Sequence, residues 1–206
     1  MRLLLMVGLV IAAMNLGGCH TVSQCPILQG MANWTLPSPL PAESENYDVV
    51  GYRDGIRFYV MKYDETLYRS GDMLSAAGAD AMSQLGVKTI ITTSQDPQQR
   101  AWAADRKIKY MEIPFGWNDM TEEDLHAFLR AYESSPKPVC VISRTGTIRA
   151  GIFGAWYRVR KQSWSVDQAI NEYHWQLQAN LFDAMPIVTT LRSAAAKAPP
   201  AISLMR

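Results

Sequence analysis

Late in this chain an apolar, mostly β-branched run passes straight into a glycine-containing turn and then into a helical pattern: Val139-Cys140-Val141-Ile142-Ser143-Arg144-Thr145-Gly146-Thr147-Ile148-Arg149-Ala150-Gly151. It reads as a buried strand, a tight loop and a helix that opens at Arg149. Successive N–H groups of such a loop converge with the helix N-terminus on one point. Residues Ser143 to Arg149 therefore describe a cradle for a tetrahedral anion, to which the Arg149 guanidinium adds a two-pronged contact. Arg144 places a second positive charge beside Ser143, directed either at the anion or outward into solvent. Cys140 falls inside the apolar run, the usual habitat of a free, unreactive thiol. A Walker-type nucleotide loop is excluded, because Gly146 is not followed by Gly-Lys-Ser/Thr at the required spacing.

The segments before and after this unit alternate between strand and helix patterns. Ile56 to Tyr63 and Thr66 to Tyr68 predict a hairpin around Asp64-Glu65, leading to a turn at Ser70-Gly71. Ala76 to Leu85 predicts a helix closed by Gly86, and Val87 to Thr92 a central strand. Gln98 to Lys107 reads as a helix and Tyr110 to Ile113 as a strand ended by Pro114. Thr121 followed by Glu122, Glu123 and Asp124 caps a helix whose apolar face is Leu125, Phe128, Leu129 and Tyr132. Ile152, Phe153, Trp156, Tyr157 and Val159 then bury the helix after the loop, and Ser165 caps another through Ala169, Ile170, Tyr173 and Leu177. Alternation of this kind predicts an α/β domain with a central, mainly parallel sheet flanked by helices. The roughly 150 residues concerned, 47–192, suffice for one core.

The ends have a different character. Residues 1–18 combine Arg2, an apolar stretch from Leu3 to Met14 and small residues before Cys19, the pattern of a secretory signal peptide too short to span a membrane as an ordinary helix. Leu16-Gly17-Gly18-Cys19 resembles a bacterial lipoprotein signal. That resemblance implies lipidation of Cys19, anchoring to a cell-envelope membrane and, with His20 next in the mature chain, an outer-membrane address facing the periplasm. Residues 19–46 contain Pro26, Pro37, Pro39 and Pro41 without helical or strand period and read as a tether. Residues 193–206, rich in Ala and Pro, read as a flexible tail. Cys25 in the tether and Cys140 in the core are not expected to pair. A formal net charge of +1 without a Lys/Arg run gives no reason to expect nucleic acid. His20, His126 and His174 stand far apart with no metal-ligand spacing, so neither a metal nor another cofactor is expected.

The loop resembles the active-site loop of the protein tyrosine and dual-specificity phosphatase superfamily, Cys, five residues, Arg. The order of elements from Leu67-Tyr68-Arg69-Ser70-Gly71 through Trp164-Ser165 and the helix beyond resembles that fold as well. The family attacks phosphorus with a thiolate ionised by the converging dipoles and the arginine. Ser143 occupies the nucleophile position here, Ile142 the position of the usual preceding His, and Ala150 that of the Ser/Thr usually found after the Arg. A hydroxyl stays protonated without a strong base or a metal. The resemblance further implies a general acid from the opposite loop, for which Asp119 is the matching residue, unless it is simply a solvated residue ahead of the helix at Thr121. Three readings follow: a pseudophosphatase that binds phosphate or a phosphorylated ligand, an active phosphomonoester or protein phosphatase, and an envelope scaffold whose surface binds a protein partner.

Overall fold

A computed structural model of the chain describes residues 45–116, 119–177 and 186–197. The elements in chain order are β1 (Asp48–Tyr52), β2 (Tyr59–Asp64), β3 (Leu67–Gly71), α1 (Ala76–Gln84), β4 (Thr89–Thr92), α2 (Pro97–Asp105), β5 (Lys109–Glu112), α3 (Glu122–Glu133), β6 (Val139–Ser143), α4 (Ile148–Lys161), α5 (Val166–Leu177) and α6 (Pro186–Lys197). The six strands form one sheet in the order β1-β2-β3-β6-β4-β5. β1, β2 and β3 are antiparallel neighbours, while β3, β6, β4 and β5 run parallel.

β6 is central because its residues are apolar on both faces. Val139 and Val141 join the cluster built with Leu67, Ile91, Phe128, Phe153 and Trp156, under α3 to α6. Cys140 and Ile142 point the other way, into the cluster of Val60, Tyr68, Met82, Ile90 and Ala103 under α1 and α2. Two-residue alternation thus feeds two cores from one strand, each buried by its own helical layer. Cys140 is buried, and desolvation pushes its thiol up to about 12, far from a thiolate at neutral pH.

Helix starts follow local chemistry. Thr121 and Asp124 form a reciprocal capping box at α3, the Thr121 hydroxyl accepting from the Asp124 N–H and the Asp124 carboxylate from the Thr121 N–H. Ser165 and Gln168 cap α5 in the same reciprocal way. α4 packs against β2 because Gly154 lacks a side chain: a Cβ there would lie 2.1 Å from the Tyr63 hydroxyl. The Arg158 guanidinium, 2 % exposed, is then locked beneath α5 by Glu172, with Nε donating at 2.9 Å and Nη2 at 3.0 Å, and Asn46 C=O accepts a further bond.

Three expectations change. The helix after the loop opens at Ile148, one residue earlier than Arg149. Strand β1 arises from Asp48–Tyr52, a segment with too little periodicity to announce itself, and it forms by pairing with β2. The tail expected from residue 193 is folded as far as Lys197: α6 continues through Ala194, which is buried, so the Ala-rich composition reflects helix propensity and not fraying. The signal peptide, Cys19 and the tether up to residue 44 lie outside the described residues. Among the described residues no helix is long and apolar enough to cross a membrane.

Candidate anion-binding site

The parallel strands end together at one edge of the sheet, and β6 delivers the loop there. In register, Gly71 of β3 lies beside Ser143, and Thr92 of β4 beside Ile142. β6 has β3 on one side and β4 on the other, so connections leave in opposite directions and open a crevice outside the strand ends. The loop is drawn tight by Gly146, whose φ of 71° brings its N–H to the Ser143 carbonyl at 3.0 Å. A Cβ at Gly146 would lie 2.4 Å from the Ser70 carbonyl carbon and 2.5 Å from the Gly71 nitrogen, so only glycine fits. Thr145 and Thr147 tie the rim together through their hydroxyls, 2.6 Å apart. Their N–H groups bond to no acceptor in the described protein, and Ile148 begins the helix behind them.

Ser143 is 2 % exposed, and its hydroxyl oxygen accepts the Ala150 N–H of α4 at 3.3 Å. Among the described residues no carboxylate or imidazole hydrogen-bonds to it. Arg149 is half-buried and anchored by one nitrogen: Nη1 donates to the carbonyls of Thr93 and Phe115, each at 3.0 Å. Its Nε–Nη2 edge carries no protein acceptor among the described residues, and that edge matches two oxygens of a phosphate. Burial pushes the Arg149 guanidinium down from its ordinary value; Asp72 and Asp119 pull it back up, and Arg144 adds to the depression. Arg144 itself is exposed at the rim. The residues proposed from sequence for the cradle, Ser143 to Arg149, are thus brought together.

Asp119 is exposed, and its carboxylate folds back over Gly116, where a Cβ would lie 2.7 Å from Oδ1. Its charge works to hold the Arg149 guanidinium up against burial. Residues 117 and 118 of that connection lie outside the described residues. Three neighbours were not foreseen from sequence. Asp72 follows Gly71 at the end of β3, Arg57 donates its N–H to the Asp72 carbonyl at 2.9 Å, and Thr93 follows β4. Burial pushes the Asp72 carboxyl up from its ordinary range, against a Gln99 hydrogen bond and the Arg149 and Arg57 charges. The signal for Asp72 was available in principle, as a charged residue directly after a buried strand at the edge that carries the loop. Among the described residues no group of three His, Cys, Asp or Glu could hold a metal ion.

A scan of the chain against family profiles finds no match. A search of characterised proteins finds the dual-specificity protein phosphatase TpbA of Pseudomonas aeruginosa, 28 % identical over 109 residues, 52 % of this chain. The match spans about half, 49 %, of that relative's length. The crystal structure of TpbA superposes with a TM-score of 0.61 at 22 % identity, covering 77 % of this chain and 94 % of that one. A Cys-to-Ser variant of TpbA in complex with pTyr gives 0.58 at 23 % identity, covering 76 % of this chain and 100 % of that one. PTPMT1 in complex with PI(5)P gives 0.54 at 14 % identity, covering 74 % and 96 %. Likeness at these identities establishes the fold.

Proposed function

The chain is a relative of the protein tyrosine and dual-specificity phosphatases by fold and by sequence, and from that premise we propose that it is a pseudophosphatase, which holds phosphate or a phosphorylated ligand and does not hydrolyse it. The observation that carries this reading is the pairing, among the described residues, of an anchored Arg149 whose Nε–Nη2 edge has no protein acceptor with a Ser143 hydroxyl that has no base. The thiolate chemistry of a cysteine phosphatase needs a nucleophile ionised near neutral pH. A serine hydroxyl held by one backbone N–H and flanked by Ile142 and Ala150 receives no such help. Replacing a thiolate by a neutral hydroxyl also removes a negative charge facing the anion, which favours binding over turnover.

The complexes of relatives with pTyr and with PI(5)P support a phosphorylated ligand. In this reading Asp119 takes the general-acid position that the resemblance implies, without a nucleophile to serve. The address follows from the sequence alone: a lipid on Cys19 holding the domain at an envelope membrane, facing the periplasm.

Calorimetric titration of the domain with inorganic phosphate or vanadate tests the binding half of the proposal. Wild type binds, and Arg149→Lys, which keeps the charge and loses the fork, weakens binding about tenfold or more, consistent with about 1.5–3 kcal/mol for a charge-assisted hydrogen bond. A folded wild-type domain that binds neither anion would return the scaffold reading to first place.

A further inference from the structure

The parallel strands start together at the end of the sheet opposite the cradle, where the register sets Leu67, Val139, Thr89 and Lys109 in one row. Lysines collect there. Lys88 directly precedes β4, Lys107 and Lys109 lead into β5, and Lys137 lies two residues before β6. Backbone bonds lace these segments together, the Lys88 N–H donating to the Pro138 carbonyl at 2.9 Å and the Lys109 N–H to the Lys88 carbonyl at 3.0 Å. Lys137 is half-buried, and its ammonium donates to the Tyr132 carbonyl and, at 2.9 Å, to the Ser135 carbonyl. Burial depresses that ammonium, and the neighbouring Lys161 and Lys109 charges add to the depression. Of the acids beside the cluster, Glu133 is paired with Lys161 at 2.7 Å and Asp105 faces Arg106 at 3.6 Å. Lys88, Lys107 and Lys109 are exposed, and among the described residues no carboxylate pairs with any of them. The acids that open α2 and α3, Asp96, Glu122, Glu123 and Asp124, lie at the cradle end, where an anionic surface would be repelled.

We propose that this lysine end is the face the domain turns to a membrane, docking on anionic phospholipid headgroups and holding the cradle away from the bilayer. The inference rests on the lipid-anchored reading given above. Its second support is where the chain enters the domain. Asp48 at the start of β1 pairs with Lys62 near the end of β2, and the Asn46 carbonyl accepts from Arg158 near the C-terminal end of α4, so the N-terminal segment joins the domain at the lysine end. From Cys19 to Ser44 run 26 residues, a length that reaches at most about 90 Å and by itself lets any face meet the bilayer. The entry point and the lysines select one. A lipid anchor raises the local concentration of the headgroup surface, so a weak attraction suffices to orient the domain. One exposed lysine near an anionic surface supplies about fivefold in affinity, and three act together here. In this orientation the cradle takes its ligand from the aqueous side.

The test is amine footprinting of the mature lipidated chain on vesicles of phosphatidylcholine, with and without phosphatidylglycerol, using a water-soluble acetylating reagent and mass spectrometry. On the anionic vesicles Lys88, Lys107 and Lys109 should be acetylated about fivefold more slowly or less than on the neutral ones, the factor that one headgroup contact supplies. Lys197, exposed and paired with Glu122 at the cradle end, should react equally on both. High salt should remove the protection, because it screens exposed charges. Lys88→Gln combined with Lys109→Gln should release Lys107 while the chain still floats with the vesicles, a change that requires the three to act as one face. Equal labelling of the three lysines on both vesicle types overturns the proposal, as does equal protection of Lys197. Protection found only in isolated cell envelopes gives the face to an acidic protein partner and overturns the lipid assignment. A chain that does not float with phosphatidylcholine vesicles lacks the anchor, which removes the lipid-anchored reading and the docking face with it.

Discussion

At the end of the sheet where β3 begins, Asp64 accepts from the Thr66 N–H at 2.8 Å, the Thr66 hydroxyl at 2.7 Å, the Leu67 N–H at 3.1 Å, Tyr157 at 2.5 Å and Gln162 at 2.8 Å. At the end where β3 stops, Asp72 leaves one carboxylate oxygen with no hydrogen-bond partner among the described residues. The two aspartates flank β3, Asp64 ending the strand before it and Asp72 following its last residue, and opposite forces set their ionisation. Burial favours the neutral form of both, but hydrogen bonds from Tyr157, Thr66 and Gln162 outweigh it at Asp64 and hold that carboxyl below its ordinary value. At Asp72 burial prevails and the carboxyl is raised. The far end of the sheet is polar chemistry completed for stability. The cradle end is polar chemistry left incomplete, which costs stability.

The contrast breaks most visibly at the buried ion pair on the completed side. Arg158→Ala would take the guanidinium away from Glu172, whose side chain is 8 % exposed, and remove the contacts to Asn46 and to the faces of Tyr63 and Trp164. A loss of about 3–5 kcal/mol is expected from the midpoint of urea unfolding, with little of it recovered by added phosphate. Tyr157→Phe removes one donor from Asp64 and should cost about 2 kcal/mol by the same measurement. Asp72→Asn is expected to do the reverse, leaving stability at neutral pH unchanged or raised by up to about 1 kcal/mol, since it removes a charge that burial disfavours.

The pH dependence sharpens the comparison, because the signs are opposite. Asp64 has a depressed folded value, so its contribution is present above the unfolded carboxyl value of about 3.9 and is lost as pH falls through the folded value. Asp72 has a raised folded value. The folded state therefore holds its proton longer, and stability declines as pH rises from about 3.9 through the folded value. Unfolding followed from acid to neutral pH should accordingly show a shallower rise for wild type than for Asp72→Asn, and a flatter acid limb for Asp64→Asn than for wild type. Identical slopes in Asp72→Asn and wild type would contradict the account of the cradle end.

Much of this was legible in the sequence where local pattern and packing agree. The β-branched run into Gly146, the acidic first turn after Thr121 and the Ser165 cap each specify their element through neighbours a few residues away, and the structure places all three as read. β1 and the extent of α6 were not legible, because each owes its form to a distant partner: β1 to β2, and Ala194 to the core under α3 to α6. The cradle was readable because the spacing from Ser143 to Arg149 is a local property. Its surroundings were not, since Asp72 follows β3 and Thr93 follows β4, and only the sheet order, with β6 between them, brings these two strand ends beside the loop. The anchoring of Arg149 by the Thr93 and Phe115 carbonyls is of the same kind.

The most direct test of the central claim follows one sample by phosphorus NMR: phenyl phosphate with the wild-type chain, metal-free, at neutral pH over a day. The account predicts a broadened or shifted ester resonance that Arg149→Lys restores toward the free position, and no inorganic phosphate signal above a protein-free control. A growing inorganic phosphate signal that disappears in Ser143→Ala would show that Ser143 is an active nucleophile and contradict the account.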